Sequence, residues 1–478
     1  MLPGRAYNSL AARNDWPNSA VQVGQAVSAA DPYLDVVRQQ WFEQACARIS
    51  PQRVKALIVE LVNHHSPTGA EGELCAFLAK HLTAAGFEAR YDRIGEQSGN
   101  CVARRRGDGS GPDLLLYAPV DTHMDADPAI DIPWAGPRLR PDMIPYATID
   151  NGAVIGLGAA NPKSMVAAVV EAARCVLEAE VPLAGDAILA FCGGGMPWLP
   201  QTRAGAGLNS GVRHLLAQGV TADCGVILKT WDDIYHEHPG LVWFRVDVRG
   251  SLGYAGLRGE PDFRNSVVPA ARLTLELERW LIGYADRHQS GQIRPEGAIS
   301  AVHGGWTDRP AFPSATTCIY LDVRTNPDQS TMDIQREFGA LISELRPRFR
   351  DVQIGWEMIG ASPGARVDPD HWIVRAAERA WVETHGQPYA GATPMSGQSD
   401  AAALCRGGIP LVRIGFPFGK DASTPEELRD GLGGMGVARA EELTTAIRQL
   451  VHIVIDTCTR SRDEICLATE ANSERTPE

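Results

Sequence analysis

LLLYAPVDTHMD (Leu114–Asp125) and GLGAANPK (Gly156–Lys163) bracket the stretch from which the rest of the chain can be placed. The first opens with four apolar residues, Leu114 to Tyr117, and ends in an acidic loop that carries a histidine. A short unbroken apolar run closed by turn residues is the pattern of a strand buried on both faces. The second is a glycine turn that feeds an Ala/Val helix, Met165–Glu178. Together they are the parts of an open α/β sheet, where ligands sit outside the carboxyl ends of the strands.

Outward from this edge, strands and helices alternate. Helical spacing covers 32–50, 52–65 and 71–86, and SPTG (Ser66–Gly69) breaks the second of these. Strands are expected at 87–92, 101–105, 113–120, 186–191 and 224–228, with a helix at 211–218. The fourth strand ends in CGGGMP, Cys192–Pro197. Such alternation implies a largely parallel sheet. Past Pro239 the pattern changes to strand 241–249, helix 267–283, strands 298–302 and 315–323, helix 332–346 and strand 352–358. That order is an α+β plait of the split βαβ kind. A helix at 371–385, a strand at 409–414 and a closing helix at 441–458 resume the first pattern.

Composition narrows the function classes. The chain has 478 residues, long for one core, with 44% hydrophobic and 22% charged residues, as in globular proteins. Its 45 Lys and Arg stand against 58 Asp and Glu, and the net charge of −13 argues against nucleic acid or an anionic membrane as partner. No run is long and apolar enough to span a bilayer, and residues 1–30 carry no signal-peptide pattern. The 10 cysteines are scattered and read as reduced thiols, so a cytoplasmic location is expected.

Several short motifs follow one another along the chain. These are SPTGAE at Ser66–Glu71, the strand ending at Asp121, Gly156–Lys163, the segment Val246–Gly256 with Asn265, LDVR at Leu321–Arg324, TPMSGQSDA at Thr393–Ala401, and TPEE at Thr424–Glu427. Together they resemble the zinc-dependent family of aminoacylase, glutamate carboxypeptidase, acetylornithine deacetylase and succinyl-diaminopimelate desuccinylase, across roughly Val54–Val454. The resemblance implies an α/β, phosphorylase/hydrolase-like, three-layer αβα catalytic domain in two parts, 32–238 and 360–460. An inserted ferredoxin-like α+β lid, 239–359, would serve dimerisation. An N-terminal arm (1–31) and a polar tail (461–478) flank them.

The resemblance also implies two zinc ions, and here the chain departs from the pattern. The family's first His position is Pro119, the bridging Asp is Asn161, and the Glu-Glu pair falls within Gly193–Met196. The next acidic ligand is Lys229, the late His is Ser423, and the lid His is Tyr254. Zinc needs three or four deprotonated N, S or O donors, and only Asp121 survives. The expectation is therefore a divergent member lacking most metal ligands, with no cofactor. The alternative is a single divalent metal on Asp121, His123 and Asp125, whose i, i+2, i+4 spacing points one way on an extended segment.

Candidate catalytic residues follow from what replaces the ligands. Asn161 and Lys163 stand at an expected helix N-terminus, which favours anions, and Lys229 adds charge. Gly193 and Gly194 offer backbone N–H groups for an oxyanion hole, Asp121 or His123 a base, and Cys192 a thiol whose bland role is packing. The resemblance assigns the grip on a substrate carboxylate to Asn265, Arg324, Ser396, Gly397 and Ser399, with Tyr254 in the lid. Arg324 has an internal pair with Asp322 as its other reading. The expected function is hydrolysis of a C–N bond, in an open-chain or cyclic amide, in a small carboxylate-bearing molecule without the dizinc pair. A catalytically inactive binding or regulatory homologue is the rival. The partners expected are a small-molecule amide and a second copy of the chain, with no nucleic acid and no membrane.

Overall fold

The computed structural model describes residues 34–199, 207–417, 428 and 435–465. The expected arm, most of the tail, and Ser423 with Thr424–Glu427 lie outside the described residues. The chain opens with α1 (Val36–Cys46), α2 (Pro51–Asn63), α3 (Gly72–Ala84), β1 (Glu88–Ile94), β2 (Ser98–Arg105) and β3 (Leu114–Pro119). It continues through α4 (Pro128–Ala135), β4 (Thr148–Asp150), β5 (Ala153–Ile155), α5 (Met165–Glu178), β6 (Ala187–Cys192), α6 (Ser210–Ala217), β7 (Cys224–Thr230) and β8 (Glu237–His238). The insertion is β9 (Gly240–Arg249), α7 (Val267–His288), β10 (Gly297–Gly304), β11 (Thr316–Thr325), α8 (Thr331–Leu345) and β12 (Gln353–Ser362). It returns through β13 (Ala365–Arg366), α9 (Trp372–His385), α10 (Ala401–Arg406), β14 (Leu411–Phe416), β15 (Val437–Ala438) and α11 (Thr444–Cys458).

The main sheet has the order β1-β2-β6-β3-β7-β14. Strands β6, β3, β7 and β14 are parallel, with β14 at one edge, and the β1–β2 hairpin joins antiparallel at the other. The run of leucines in β3 serves both faces. Leu114, Leu116 and Ala118 enter one core with α2, α3, α5, α9 and α11, while Leu115 and Tyr117 enter the other with α6 and α10. Helix α5 is buried along most of its length because its small residues let it lie close to the sheet.

The insertion is a four-stranded antiparallel sheet, order β10-β11-β9-β12. Residues alternate strictly along β11, and one face of the sheet packs on α7 and α8 in a core of its own, where Phe244 stacks on Phe338 at 4.0 Å. The two crossings between catalytic sheet and lid pair as β8 and β13. Arg366 bonds Glu237 at 2.6 Å and Asp328 at 2.9 Å, tying both crossings to the lid.

Two expectations change here. Helix α7 continues to His288, beyond the Gly283 where its sequence pattern fades. The turn after Gly158 does not open directly into a helix N-terminus: Asn161 sits at φ −128° and ψ 107°, and regular helix begins only at Met165. The N–H groups of Ala160 and Asn161 both donate to Met435 O, and that of Lys163 donates to Gly158 O. These donors are therefore not available to an anion.

Candidate active site

Strands β3, β6 and β7 end side by side, and the loops after them bring Asp121, Gly193–Gly195 and Lys229 to one edge. The start of α3 adds Glu71 and the start of α10 adds Asp400, and the charges of both act on Asp121. Asp121 Oδ2 accepts from Thr68 Oγ1 at 2.9 Å and from the Met196 N–H at 2.8 Å. Glu71 Oε1 accepts from the N–H groups of Gly69 at 2.7 Å and Gly194 at 2.8 Å. Asp400 accepts from Tyr117 Oη at 2.8 Å and Asn209 Nδ2 at 2.7 Å. Three buried oxygens are left without partners: Asp121 Oδ1, Glu71 Oε2 and Asn161 Oδ1.

This burial shows in the ionisation of the groups. Burial, with the charges of Glu71 and Asp400, raises Asp121 to about 7. Burial also raises Glu71 and Asp400. Lys163 is lowered to about 7 by burial, and donates to Ser66 Oγ and to His64 O at 3.3 Å. Its amine bonds a hydroxyl and a carbonyl, with no carboxylate in ion-pair contact among the described residues. Lys229 is lowered to about 8 by burial and by the neighbouring Arg413. Asp121, Lys163 and Lys229 are thus shifted towards neutrality, where proton transfer is most effective.

Several candidates take other roles. The Gly193 N–H donates to Asn100 Oδ1 at 3.2 Å and the Gly194 N–H to Glu71, so neither can form an oxyanion hole. The glycines are required by the protein's own side chains. A Cβ at Gly193 would lie 2.6 Å from Glu71 Cδ, one at Gly194 would strike Ser210 Oγ, and one at Gly195 would strike Asp400 Oδ2. Cys192 is fully buried, and burial holds its thiol well above the ordinary range, so it is a packing residue and no nucleophile. His123 is lowered to about 4 by burial and lies edge-on to Trp134, centroids 6.3 Å apart. The Asp125 N–H turns toward Asp131 Oδ1 at 3.3 Å. Asp121, His123 and Asp125 therefore do not converge, and among the described residues no three His, Cys, Asp or Glu side chains group to hold an ion.

The substrate-gripping set is also engaged internally. Asn265 Oδ1 accepts from the N–H groups of Val267 at 2.7 Å and Val268 at 3.2 Å, capping α7. Arg324 pairs with Asp322 at 2.7 Å. Ser396 Oγ donates to Arg294 O and accepts from the Glu296 N–H at 2.7 Å, stitching its loop to the segment before β10. Ser399 is buried and accepts from Ala401 N–H at 3.4 Å. Gly397 O accepts from Arg413 Nη1 at 3.4 Å. Tyr254 is exposed on the loop after β9, against Phe312. The residues that sequence reasoning passed over are Glu71, Asp400, Tyr117, Asn209 and Arg413. Glu71 and Asp400 lay inside quoted motifs; the missing signal was the side chain that each glycine makes room for.

Residues 120–430 match the profile of peptidase family M20/M25/M40. The chain belongs to this family. Solved structures with the same fold include a tripeptidase from Staphylococcus aureus, 17% identical, covering 86% of this chain and 100% of its own, with a TM-score of 0.62. Human carnosine dipeptidase 1 is 14% identical, covering 90% of this chain and 100% of its own, with a TM-score of 0.64. A hydantoinase/carbamoylase family amidase from Burkholderia multivorans is 14% identical, covering 87% and 99%, with a TM-score of 0.56. The family relation makes a metal pair the first thing to test at this edge. Pro119 ends β3 with no donor, Asn161 offers a neutral amide, and Lys229 places an amine at the end of β7. The donor set of the described residues does not fit two dications. Among the described residues no helix is long and apolar enough to cross a membrane.

Proposed function

We propose that the protein hydrolyses a C–N bond in a small, carboxylate-bearing amide, open-chain or cyclic, without a dizinc centre. The observation that carries this reading is the cluster of Glu71, Asp121, Asp400, Lys163 and Lys229 at the carboxyl edge of the sheet, with no ion-pair contact between its acids and lysines among the described residues. Asp121 is the general base: Oδ2 is fixed by Thr68 and Met196, and Oδ1 has no bonded partner with which to share an attacking water's proton. Lys229 supplies positive charge at this edge, where the backbone N–H groups of Gly193 and Gly194 are already bonded within the protein. Glu71 and Asp400 are positioning residues that hold the glycine turn and, through its charge, the proton affinity of Asp121. The family's peptidases and amidases supply the reaction class, and this chain's own donors supply the departure from it.

The homodimer expected from the resemblance belongs to the same proposal. Val267, Val268, Leu275 and Ile282 are exposed along α7, an apolar face suited to a second copy. The deciding assay uses chelator-treated protein against N-acyl amino acids, N-carbamoyl amino acids, dipeptides and hydantoins. Turnover that survives chelation supports the reading. Turnover lost on chelation and restored by zinc or manganese contradicts it, and no turnover of any substrate favours the binding homologue.

A further inference from the structure

The corner after β7 is built in an unusual way. Trp231 has φ 71°, a left-handed conformation that a bulky side chain adopts only when its surroundings impose it. Its carbonyl lies where a Cβ at Gly415 would stand, so the corner crosses directly over β14. The indole is 54% exposed, although the strand that delivers it is buried. Its Cζ3 is 3.8 Å from the position of a Cβ on Gly397, so the ring borders the loop Ser396–Asp400.

Arg413 fixes this arrangement from behind. It is 1% exposed, with Nη2 donating to Thr230 O at 3.0 Å and Nη1 to Gly397 O at 3.4 Å, so one guanidinium holds both the corner and the loop. It faces the rings of Trp231 and Tyr235 at 5.6 and 5.1 Å, and its Nε has no partner. Lys229 stands two residues before Trp231, partly exposed, with no hydrogen bond or ion pair among the described residues. Among the described residues, Arg324 is engaged by Asp322, Arg366 by Glu237 and Asp328, and Lys163 by Ser66 and His64. Lys229, at the end of β7, and the half-exposed indole two residues later therefore stand at the same sheet edge, with the Arg413 guanidinium 5.6 Å from the ring.

We propose that Lys229 and Trp231 form a binding subsite for a small carboxylate that carries a planar group, with Arg413 as the positioning residue that holds its two walls. The ammonium takes the carboxylate, and the indole stacks on the planar part. This inference rests on the function proposed above for the substrate's charge, and moves the recognition of that charge from Arg324 and Asn265 to the sheet edge.

Isothermal titration with N-benzoylglycine and its uncharged amide, N-benzoylglycinamide, tests it without any need for turnover. Wild type should bind the acid at least about tenfold more tightly than the amide, the value of roughly 1.4 kcal/mol. Lys229→Met should remove that preference, Lys229→Arg should retain it, and Trp231→Ala should weaken both ligands about tenfold. Absence of binding by wild type, absence of a preference for the acid, or a preference unchanged in Lys229→Met would overturn the subsite. If Lys229→Met fails to fold, the wild-type preference and the Trp231→Ala loss decide. Binding as expected in a protein that hydrolyses no amide rejects the proposed function and leaves the subsite standing. Hydrolysis with no preference does the reverse.

Discussion

Two clusters of buried charge sit at opposite ends of the parallel strands, and they are built on opposite principles. Near the amino ends, where Cys458 O accepts from the Ala184 and Gly185 N–H groups, Asp456 lies wholly buried. It accepts from Arg379 Nε and Arg460 Nη2, each at 2.8 Å, and both guanidiniums lie over Trp372. Burial pushes this carboxyl up, yet Arg379, His452 and Arg460 outweigh it and hold it below the ordinary range. At the carboxyl ends, Asp121, Glu71 and Asp400 are equally buried but bond only hydroxyls and amides, with Lys163 and Lys229 acting on them from outside ion-pair contact among the described residues, and all are raised. A buried charge that is paired stabilises its ionised form and belongs to the scaffold. One that is unpaired is held ready to exchange a proton, and belongs to the chemistry.

The contrast can be broken most severely at its structural half. Asp456→Ala removes the carboxylate that Arg379 and Arg460 share, leaving Arg460 with the residue-456 carbonyl and Glu464, and should cost about 3–5 kcal/mol in chemical denaturation. A loss below about 1 kcal/mol would mean that the pairing contributes little. Next in size is the glycine turn. Gly195→Ala drives a methyl group into Asp400 and should cost about 1–3 kcal/mol in the same experiment, with turnover reduced as Asp400 moves. Unchanged stability would show that the turn yields freely.

Acidity sharpens the comparison further. Asp121 has a folded value near 7 against 3.8 for the free group, so the native state binds the extra proton between these values. Its contribution is present below about 4 and is lost as pH rises through about 7, so stability should fall across that window. Asp456 runs the other way, losing its contribution as pH drops below the ordinary carboxylate range. Asp121→Asn should flatten the slope between pH 4 and 7 by at least about 1.4 kcal/mol, one pKa unit. An unaltered slope in urea titrations at several pH values would place the raised group elsewhere. The smallest effect is expected at Cys192: iodoacetamide on the native protein should leave activity unchanged, and rapid inactivation traced to this thiol would restore it as a nucleophile.

The scaffold was largely readable from the chain because its signals are local. The two-sided run of β3 and the strict alternation of β11 each declare one environment, and the lid's βαββαβ order follows from spacing alone. The candidate site was readable only in part. Asp121 was singled out by its place at a strand end, Lys163 by the glycine turn before a helix, and Lys229 by the resemblance, and the structure brings all three to one edge. Glu71 and Asp400 were missed as chemistry because they reach the edge from sequence positions 50 or more residues away from Asp121. The three glycines gave a true signal of close approach, but what approaches is Glu71, Ser210 and Asp400. Arg324 takes the internal pair with Asp322 that the sequence offered as its other reading, whereas the bonds of Asn265 to the start of α7 were not anticipated.

The most direct test sets the stability of Asp121→Asn beside its turnover, in chelator-treated protein at pH 8. An unpaired buried carboxylate is a burden to the fold, so the amide should be as stable as wild type or more so, while turnover falls by about 10² or more. A variant that loses several kcal/mol of stability, or one that turns over as fast as wild type, would contradict the assignment of this edge to catalysis.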